Sequence, residues 1–213
     1  METLQAIRGR RSVRAYKSDS VPREVIAGVL DAARWAPSGS NRQRWRVTVL
    51  TGEPLKALAD ELVARGRERA QRNGGAQQAS RPDPRAQALW EGLERVAQTI
   101  GTTAYEMVTM GSHRFFDAPV VILVSSPSEG PGDVPQFVTT LMLAAYDAGL
   151  GTCWLGIPMG YADVITRMAG IPDGEHLVSV VAIGYPDPQS PINAFRSTRD
   201  GLDAFVRWVG FDE

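Results

Sequence analysis

GRRSVR, at residues 9–14, is the stretch of this sequence from which the rest of the fold can be placed. If its backbone is extended, the side chains of Arg10, Ser12 and Arg14 lie on the same side, because successive side chains of a strand alternate. Arginine presents a planar fork of N–H donors that fits a phosphate in a two-point contact, and a serine hydroxyl can donate to the remaining lone pairs. The stretch predicts a site for a terminal phosphate, and its alternative is a solvated basic surface. We call Arg10, Arg11, Ser12 and Arg14 the N-terminal arginine cluster.

The overall composition is that of an ordinary globular protein. The 213 residues are 43% hydrophobic and 22% charged, with a net charge of −1, which predicts one domain and does not favour binding to nucleic acid or to an anionic membrane. The single cysteine, Cys153, excludes an internal disulfide, and His113 and His176 do not make a zinc site. No apolar run approaches the ~18 residues of a membrane span, and the N-terminus has no signal-peptide core, so we expect a cytoplasmic protein without a metal.

A second informative stretch, APSGSNRQRW at residues 36–45, lies between a predicted helix and a predicted strand. Apolar residues at helical spacing over 21–33 predict an amphipathic helix that Pro37 ends, and WRVTVL at 45–50 alternates as a strand does. Glycine lets a backbone approach a flat ring closely, and Ser and Asn offer adaptable hydrogen bonds. The stretch therefore suits a ring-binding loop, with an ordinary helix-ending turn as the alternative.

Further elements follow from hydrophobic periodicity. The polar composition between Gly66 and Arg85 predicts an exposed excursion, either a lid beside the site or an inert insertion. No strand is followed by G-x-G-x-x-G, so a Rossmann dinucleotide site is not expected. The sequence predicts helices at 2–9, 55–69, 86–108, 137–149, 161–169 and 200–209, and strands at 118–125, within 149–156 and at 177–184.

RRSVR, followed by a helix and then APSGSN-x-Q-x-W, resembles the opening of the FMN-dependent nitroreductase family. The resemblance extends over nearly the whole chain and is weakest across 66–112. It implies an α+β fold with a central, mostly antiparallel sheet flanked by helices, as an intertwined homodimer with FMN at the interface. It also implies a single domain over residues 1–213, with 66–112 as an inserted helical excursion.

The resemblance also implies how FMN is held. The arginine cluster would bind the ribityl phosphate, and the loop of residues 37–41 would come from the second subunit and lie against the isoalloxazine. The backbone of Leu155 and Gly156 would donate to flavin N5, and a late arginine, first Arg199 and then Arg196, would return to the phosphate. The implied cofactor-binding residues are Arg10, Arg11, Ser12, Arg14, Pro37, Ser38, Gly39, Asn41, Leu155, Gly156, Arg196 and Arg199.

Three further residues are candidates for substrate binding. Arg44 stands where the resembled family commonly has proline, and it could contact an anionic substrate. His113 and Phe115 precede the predicted buried strand at 118–125 and could line a pocket for a planar substrate, with core packing as the alternative. Cys153 lies in an apolar context that is more typical of a core residue than of a nucleophile. No side chain is predicted to act as catalytic acid.

The function implied by the resemblance is an FMN-dependent oxidoreductase that works by a ping-pong mechanism. NAD(P)H would pass a hydride to flavin N5 and leave, and an electron-poor acceptor such as a nitroaromatic or a quinone would take its place. One alternative is a flavin-dependent dehydrogenase or oxidase of a small or peptide-derived substrate. A second alternative is a flavin-binding protein without catalysis.

Overall fold

A computed structural model describes residues 2–72, 83–127 and 132–211. Its centre is one antiparallel sheet of four strands in the order β1-β2-β4-β3, so that β1 and β3 are the edge strands. The strands are β1 (Arg46–Thr51), β2 (Val120–Ser126), β3 (Gly151–Leu155) and β4 (His176–Gly184). The helices are α1 (Thr3–Gly9), α2 (Arg23–Ala33), α3 (Gly52–Arg72), α4 (Pro84–Thr99), α5 (Gly111–His113), α6 (Val134–Asp147), α7 (Ala162–Ala169) and α8 (Pro191–Ala194).

β2 is the buried centre of the sheet, as its continuous apolar run predicted. All seven of its residues are buried, and their side chains alternate between two hydrophobic clusters. Ile122 and Val124 pack with α2 and α6, whereas Val121 and Leu123 pack with α3 and α7. Each fully buried side chain of this size contributes roughly 1.5–3 kcal/mol on leaving water, so helices on both faces of the sheet hold the fold together.

A third cluster packs α4 and the helical turns after it against the end of the chain. Leu93, Ala104 and Val108 are buried against Ile192 of α8, with Ala15 and Phe195 at the margin. Residues Tyr105–Met110 form a π-helix that leads directly into α5.

The predicted start of the excursion at Gly66 is wrong. Helix α3 continues to Arg72, and Gly66 is buried because its missing side chain leaves room for the ring of His113. Residues 73–82 of the predicted excursion lie outside the described residues.

The predicted helix at 200–209 is also wrong. That segment contains one 3₁₀ turn, Leu202–Ala204, and otherwise follows no regular structure. Its apolar side chains have no core to pack on within this chain, so an amphipathic helix gains little there. Phe205, Trp208, Val209 and Phe211 are 61–74% exposed. Among the described residues, no helix has the length and apolar character needed to cross a bilayer.

Candidate functional site

The arginine cluster lies along the outer edge of β3. Ser12 forms a parallel bridge with Thr152, and the Val13 N–H donates to the Thr152 carbonyl at 2.9 Å. The side chain of Val13 occupies the space that a side chain at Gly151 would need, since an added Cβ would lie 2.7 Å from a Val13 methyl carbon. A tight packing contact and a backbone hydrogen bond therefore fix the register of the cluster.

Three members of the cluster affect the thiol of Cys153 in β3. Burial raises the pKa of Cys153, and the charge of Arg14, a hydrogen bond with Ser12 and the charge of Arg10 oppose this rise, in that order. All three residues therefore lie close enough to β3 to affect this thiol, and the shared side of Arg10, Ser12 and Arg14 stays a prediction. The thiol itself is 3% exposed with a raised pKa, which fits a core residue and not a nucleophile.

Arg11 carries a donor that the protein itself does not satisfy. Its Nε is buried and has no hydrogen-bond partner among the described residues. Leaving a charged, buried donor unpaired is costly, and a phosphate oxygen is the acceptor that a guanidinium fits best. The chemistry of the cluster thus fits the phosphate of FMN.

Asn193 is a site residue that the sequence analysis missed. It is 3% exposed, and its side-chain oxygen accepts from the backbone N–H of Arg14 at 2.9 Å. Tyr16 was also missed: its hydroxyl donates to the Val13 carbonyl at 2.9 Å. Burial is the first cause that raises the pKa of Tyr16, so the phenol stays protonated. No local pattern marks Asn193, because its partner Arg14 is 179 positions away in the sequence.

Of the two predicted backbone donors, the geometry favours Gly156. The Thr152 carbonyl points away from β4, toward Val13, so the Leu155 carbonyl, three positions later in β3, points toward β4. In the planar trans peptide that follows, the N–H points opposite to that carbonyl. The N–H of Gly156 therefore faces the cluster side, whereas Leu155 pairs with Val180 of β4. Gly156 is exposed, and a Cβ added there would meet no atom within 4 Å. An open backbone donor thus lies along the same strand edge as the arginine cluster.

The loop at residues 37–41 is exposed apart from a half-buried Ser38. The Ser38 hydroxyl accepts from the Gln43 N–H at 3.2 Å, and Gln43 Nε2 donates to Asn41 Oδ1 at 2.9 Å. Ser40, Asn41 and Gln43 have φ of 53°, 54° and 45°, a left-handed conformation that non-glycine residues rarely adopt. Pro37, Ser38, Gly39 and Asn41 thus lie on a tightly turned surface loop.

This loop and the arginine cluster lie at opposite edges of the sheet. The loop leads into β1, whereas the cluster lies outside β3, and β2 and β4 separate them. Three inter-strand spacings amount to about 14 Å. The two sites also lie toward opposite ends of the strands. The loop leads into the start of β1, at Arg46, whereas the cluster is level with the end of β1: successive pairing partners across the sheet join Thr51 to Val120, Ile183 and Thr152. One subunit therefore does not bring the two predicted halves of the flavin site together.

Both late arginines lie on the segment that follows α8. Arg196 Nη1 donates to the Asn193 carbonyl at 3.0 Å, which links it to the residue that holds Arg14. Arg199 Nη1 donates to the Ser197 hydroxyl and the Thr198 carbonyl, each at 2.8 Å. Arg196, the second choice in the sequence analysis, is thus the one connected to the cluster.

Of the three residues predicted to bind substrate, Arg44 is partly accessible to solvent, whereas His113 and Phe115 are buried. Arg44 is half-buried just before β1, and its predicted contact with an anionic substrate stays a prediction. His113 and Phe115 are 4% and 0% exposed, so within this subunit the alternative of core packing is the one observed. The His113 ring lies 5.4 Å from that of Tyr161, and its Nδ1 donates to the Thr109 carbonyl at 2.7 Å.

Fold and site together fit a protein with a phosphorylated cofactor, because the edge of the antiparallel sheet carries a cluster of phosphate-compatible donors. The model of the Nitroreductase family matches residues 7–185, and the chain belongs to that family. The 4-nitrobenzoate reductase of Pseudomonas putida is 29% identical, with 97% of this chain and 95% of that protein covered.

Two solved structures are similar over nearly the whole chain. One is the FMN and NADPH-dependent nitroreductase NfnB from Sphigopyxis sp. strain HMH, at 28% identity and a TM-score of 0.86, with 99% of this chain and 100% of that chain covered. The other is the FMN-dependent nitroreductase NfnB from Mycobacterium smegmatis in complex with NADPH, at 28% identity and a TM-score of 0.82, with 97% of each chain covered. These findings confirm the predicted family, the α+β fold and the class of enzyme, an FMN-dependent oxidoreductase that takes electrons from a nicotinamide.

Proposed function

We propose that this protein binds FMN between the arginine cluster and Gly156 and uses NAD(P)H to reduce nitroaromatic or similarly electron-poor acceptors. The observation that carries the proposal is the unpaired, buried Nε of Arg11 within a cluster that lies on the same strand edge as an open backbone N–H. The names of the similar proteins support the choice of nitroaromatics as acceptors.

Each part of the site has a defined task. Arg10, Arg11 and Arg14 neutralise the phosphate and donate hydrogen bonds to it, and the Ser12 hydroxyl completes the donor set. The backbone N–H of Gly156 donates to the ring, which needs no titratable side chain. FMN, when bound, supplies a ring system that accepts a hydride from NAD(P)H and passes the electrons to the acceptor.

We propose a homodimer, because the two halves of the site do not meet in one subunit. The partner would supply its loop at residues 37–41 to the flavin held by the arginine cluster, so that two equivalent sites form across the interface. The exposed apolar segment after Asp200 supports this arrangement. Contiguous apolar surface of this kind is typical of a protein interface.

The test begins with the visible spectrum of the purified protein after incubation with FMN. We expect bound oxidised flavin, bleaching on anaerobic addition of NADH or NADPH, and recovery of the flavin spectrum on addition of 4-nitrobenzoate. A protein that takes up no FMN overturns the proposal. Bound FMN that NAD(P)H does not bleach favours the oxidative alternative, and bleaching without steady NAD(P)H consumption favours a non-catalytic flavoprotein.

The phosphate assignment has its own test in the double variant Arg10→Ala, Arg14→Ala. Charge-assisted hydrogen bonds contribute about 1.5–3 kcal/mol each, so the loss of two guanidinium groups should weaken FMN binding at least 100-fold. Arg34→Ala is a matched control, because Arg34 is an exposed arginine whose ion pair with Asp31 lies on α2. Wild-type FMN affinity in the double variant would remove the cluster from the site.

A further inference from the structure

We propose that Asn193 is a positioning residue for the cofactor phosphate: its side chain fixes the backbone at Arg14 and thereby the phosphate-binding guanidinium of Arg14. The inference rests on the proposed FMN site. It assigns to that site a residue that is 179 positions from Arg14 in the sequence.

The side-chain oxygen and nitrogen of Asn193 both form hydrogen bonds to backbone groups. Its Oδ1 accepts from the Arg14 N–H at 2.9 Å, and its Nδ2 donates to the carbonyls of Ala15 at 2.7 Å and Asp187 at 2.9 Å. The orientation of the amide is fixed by these partners, since an N–H requires the oxygen and two carbonyls require the nitrogen. Asn193 thus holds Arg14 and Ala15 through one backbone group of each residue.

This contact holds a residue whose N–H takes no part in the backbone pairing around it. Val13 donates to Thr152 of β3, the Ala15 carbonyl accepts from the Asp187 N–H at 3.1 Å, and Lys17 donates to the Tyr185 carbonyl. The Arg14 N–H lies between them and bonds to the Asn193 side chain. Without the Asn193 side chain, the backbone bonds at Val13, Ala15 and Lys17 would remain, but the N–H of Arg14, which carries a phosphate-binding guanidinium, would lose its partner.

The backbone of Asn193, with the carbonyls of Ala194 and Phe195, also contacts a second arginine. The Asn193 carbonyl accepts from Arg196 Nη1 at 3.0 Å, and the neighbouring Ile192 packs in the cluster that includes Ala15. Asn193 therefore couples the N-terminal arginine cluster to the segment after α8. A merely structural residue would stabilise this junction without affecting how the phosphate is recognised.

The test compares FMN with riboflavin, which has the same ring but no phosphate. We expect Asn193→Ala to reduce the ratio of FMN affinity to riboflavin affinity roughly tenfold, the effect of losing about one well-placed hydrogen bond, while riboflavin affinity stays near the wild-type value. Binding is measured by flavin fluorescence at a temperature where every variant is folded by circular dichroism. Ser125→Ala is the matched control, because it removes another buried side-chain hydrogen bond, to Glu175 at 2.6 Å, far from the cluster.

The outcomes separate this inference from the proposed function. Equal losses of FMN and riboflavin affinity in Asn193→Ala, with an unchanged ratio, show a structural role and overturn the inference alone. A wild-type protein that binds neither flavin overturns both proposals. If Asn193→Ala does not fold, Asn193→Ser takes its place with the same two readouts, because the shorter hydroxyl cannot bond to Arg14, Ala15 and Asp187 together.

Discussion

At the scale of single residues, two buried glycines leave room for side chains that hold neighbouring segments in place. Gly151 has no side chain, and this allows Val13 to lie against β3 and brings the arginine cluster to the strand edge. His113 fills the space left by Gly66 and holds α3 against the end of the π-helix. Both contacts are steric, so both can be tested by substitution.

Replacing Gly151 with alanine should displace the arginine cluster. The new Cβ would lie within 2.8 Å of three carbons of Val13, all closer than normal packing allows. Overpacking of this kind costs about 1–3 kcal/mol of unfolding free energy, and we expect FMN affinity to fall roughly tenfold. Urea denaturation and FMN titration measure the two effects. Unchanged FMN affinity in the alanine variant would show that the register of Val13 does not matter for the cofactor.

The pH dependence of stability should contain a contribution from His113. Burial lowers the pKa of His113, the charge of Arg69 adds to this, and the hydrogen bond to Thr109 opposes it. Because the folded pKa is below the unfolded value of about 6.5, the unfolded chain takes up the proton first as the pH falls. The contribution is therefore fully present above that value and is lost as the pH falls toward the folded pKa.

We expect the free energy of unfolding to decrease between about pH 7.5 and pH 5.5 by more in the wild type than in His113→Gln. Urea denaturation at the two pH values measures both decreases. The carboxylates common to both proteins cancel in the comparison. Equal decreases would mean that His113 is protonated as easily in the folded protein as in the unfolded chain.

At the scale of elements, glycine has opposite effects on stability at a helix end and in a helix interior. Gly170 ends α7 in the left-handed region, with φ of +65°, which is unfavourable for a residue with a Cβ. Gly28 lies inside α2 on an exposed position, where glycine only adds freedom to the unfolded chain. In neither position would a Cβ meet an atom within 4 Å.

Two alanine substitutions should therefore change stability in opposite directions. We expect Gly170→Ala to lower the free energy of unfolding by about 1 kcal/mol and Gly28→Ala to raise it by about 0.5–1 kcal/mol. Thermal and urea unfolding followed by circular dichroism measure both changes. A stabilising effect of Gly170→Ala would argue against the left-handed helix end.

At the scale of the whole molecule, one subunit does not bring the predicted parts of the flavin site together. Its sheet and helices form a continuous core, yet the arginine cluster and the loop at 37–41 lie at opposite edges of that sheet. The C-terminal segment leaves the core with its apolar side chains exposed. Within the described residues, the rings of Trp208 and Phe211 pack edge-on against each other, with 5.3 Å between their centroids, and against no other ring. A second copy would bury this segment and complete the site.

If the protein is the proposed homodimer, the double variant Trp208→Ala, Phe211→Ala should convert it to a subunit of 23.1 kDa and release most of the bound FMN. Both losses follow from removing apolar area that only a partner can cover. Light scattering measures the mass, and the flavin absorbance of the same fraction measures occupancy. Trp90→Ala, at an exposed tryptophan of α4, is the control. A wild-type protein that binds FMN at the mass of one subunit would contradict the dimer.

The sequence by itself determined the elements that depend on local pattern. The apolar run of β2, the amphipathic face of α2 and the donors of the arginine cluster are all visible in short stretches, because period and side-chain chemistry are local properties. Joined to the loop motif at 36–45, they also specified the family. The predicted helix at 200–209 failed for the complementary reason, since its apolar residues find no surface to pack on in this chain.

Only the tertiary structure decided which groups meet. Asn193 holds Arg14 from 179 positions away, Gly66 makes room for His113, and Gly156 is favoured over Leu155 because β3 is an edge strand. Hydrogen bonds and close contacts between distant segments leave no periodicity in either segment, so no window of sequence contains them. The separation of the loop from the cluster likewise follows from strand order, which is a property of the sheet and not of any strand.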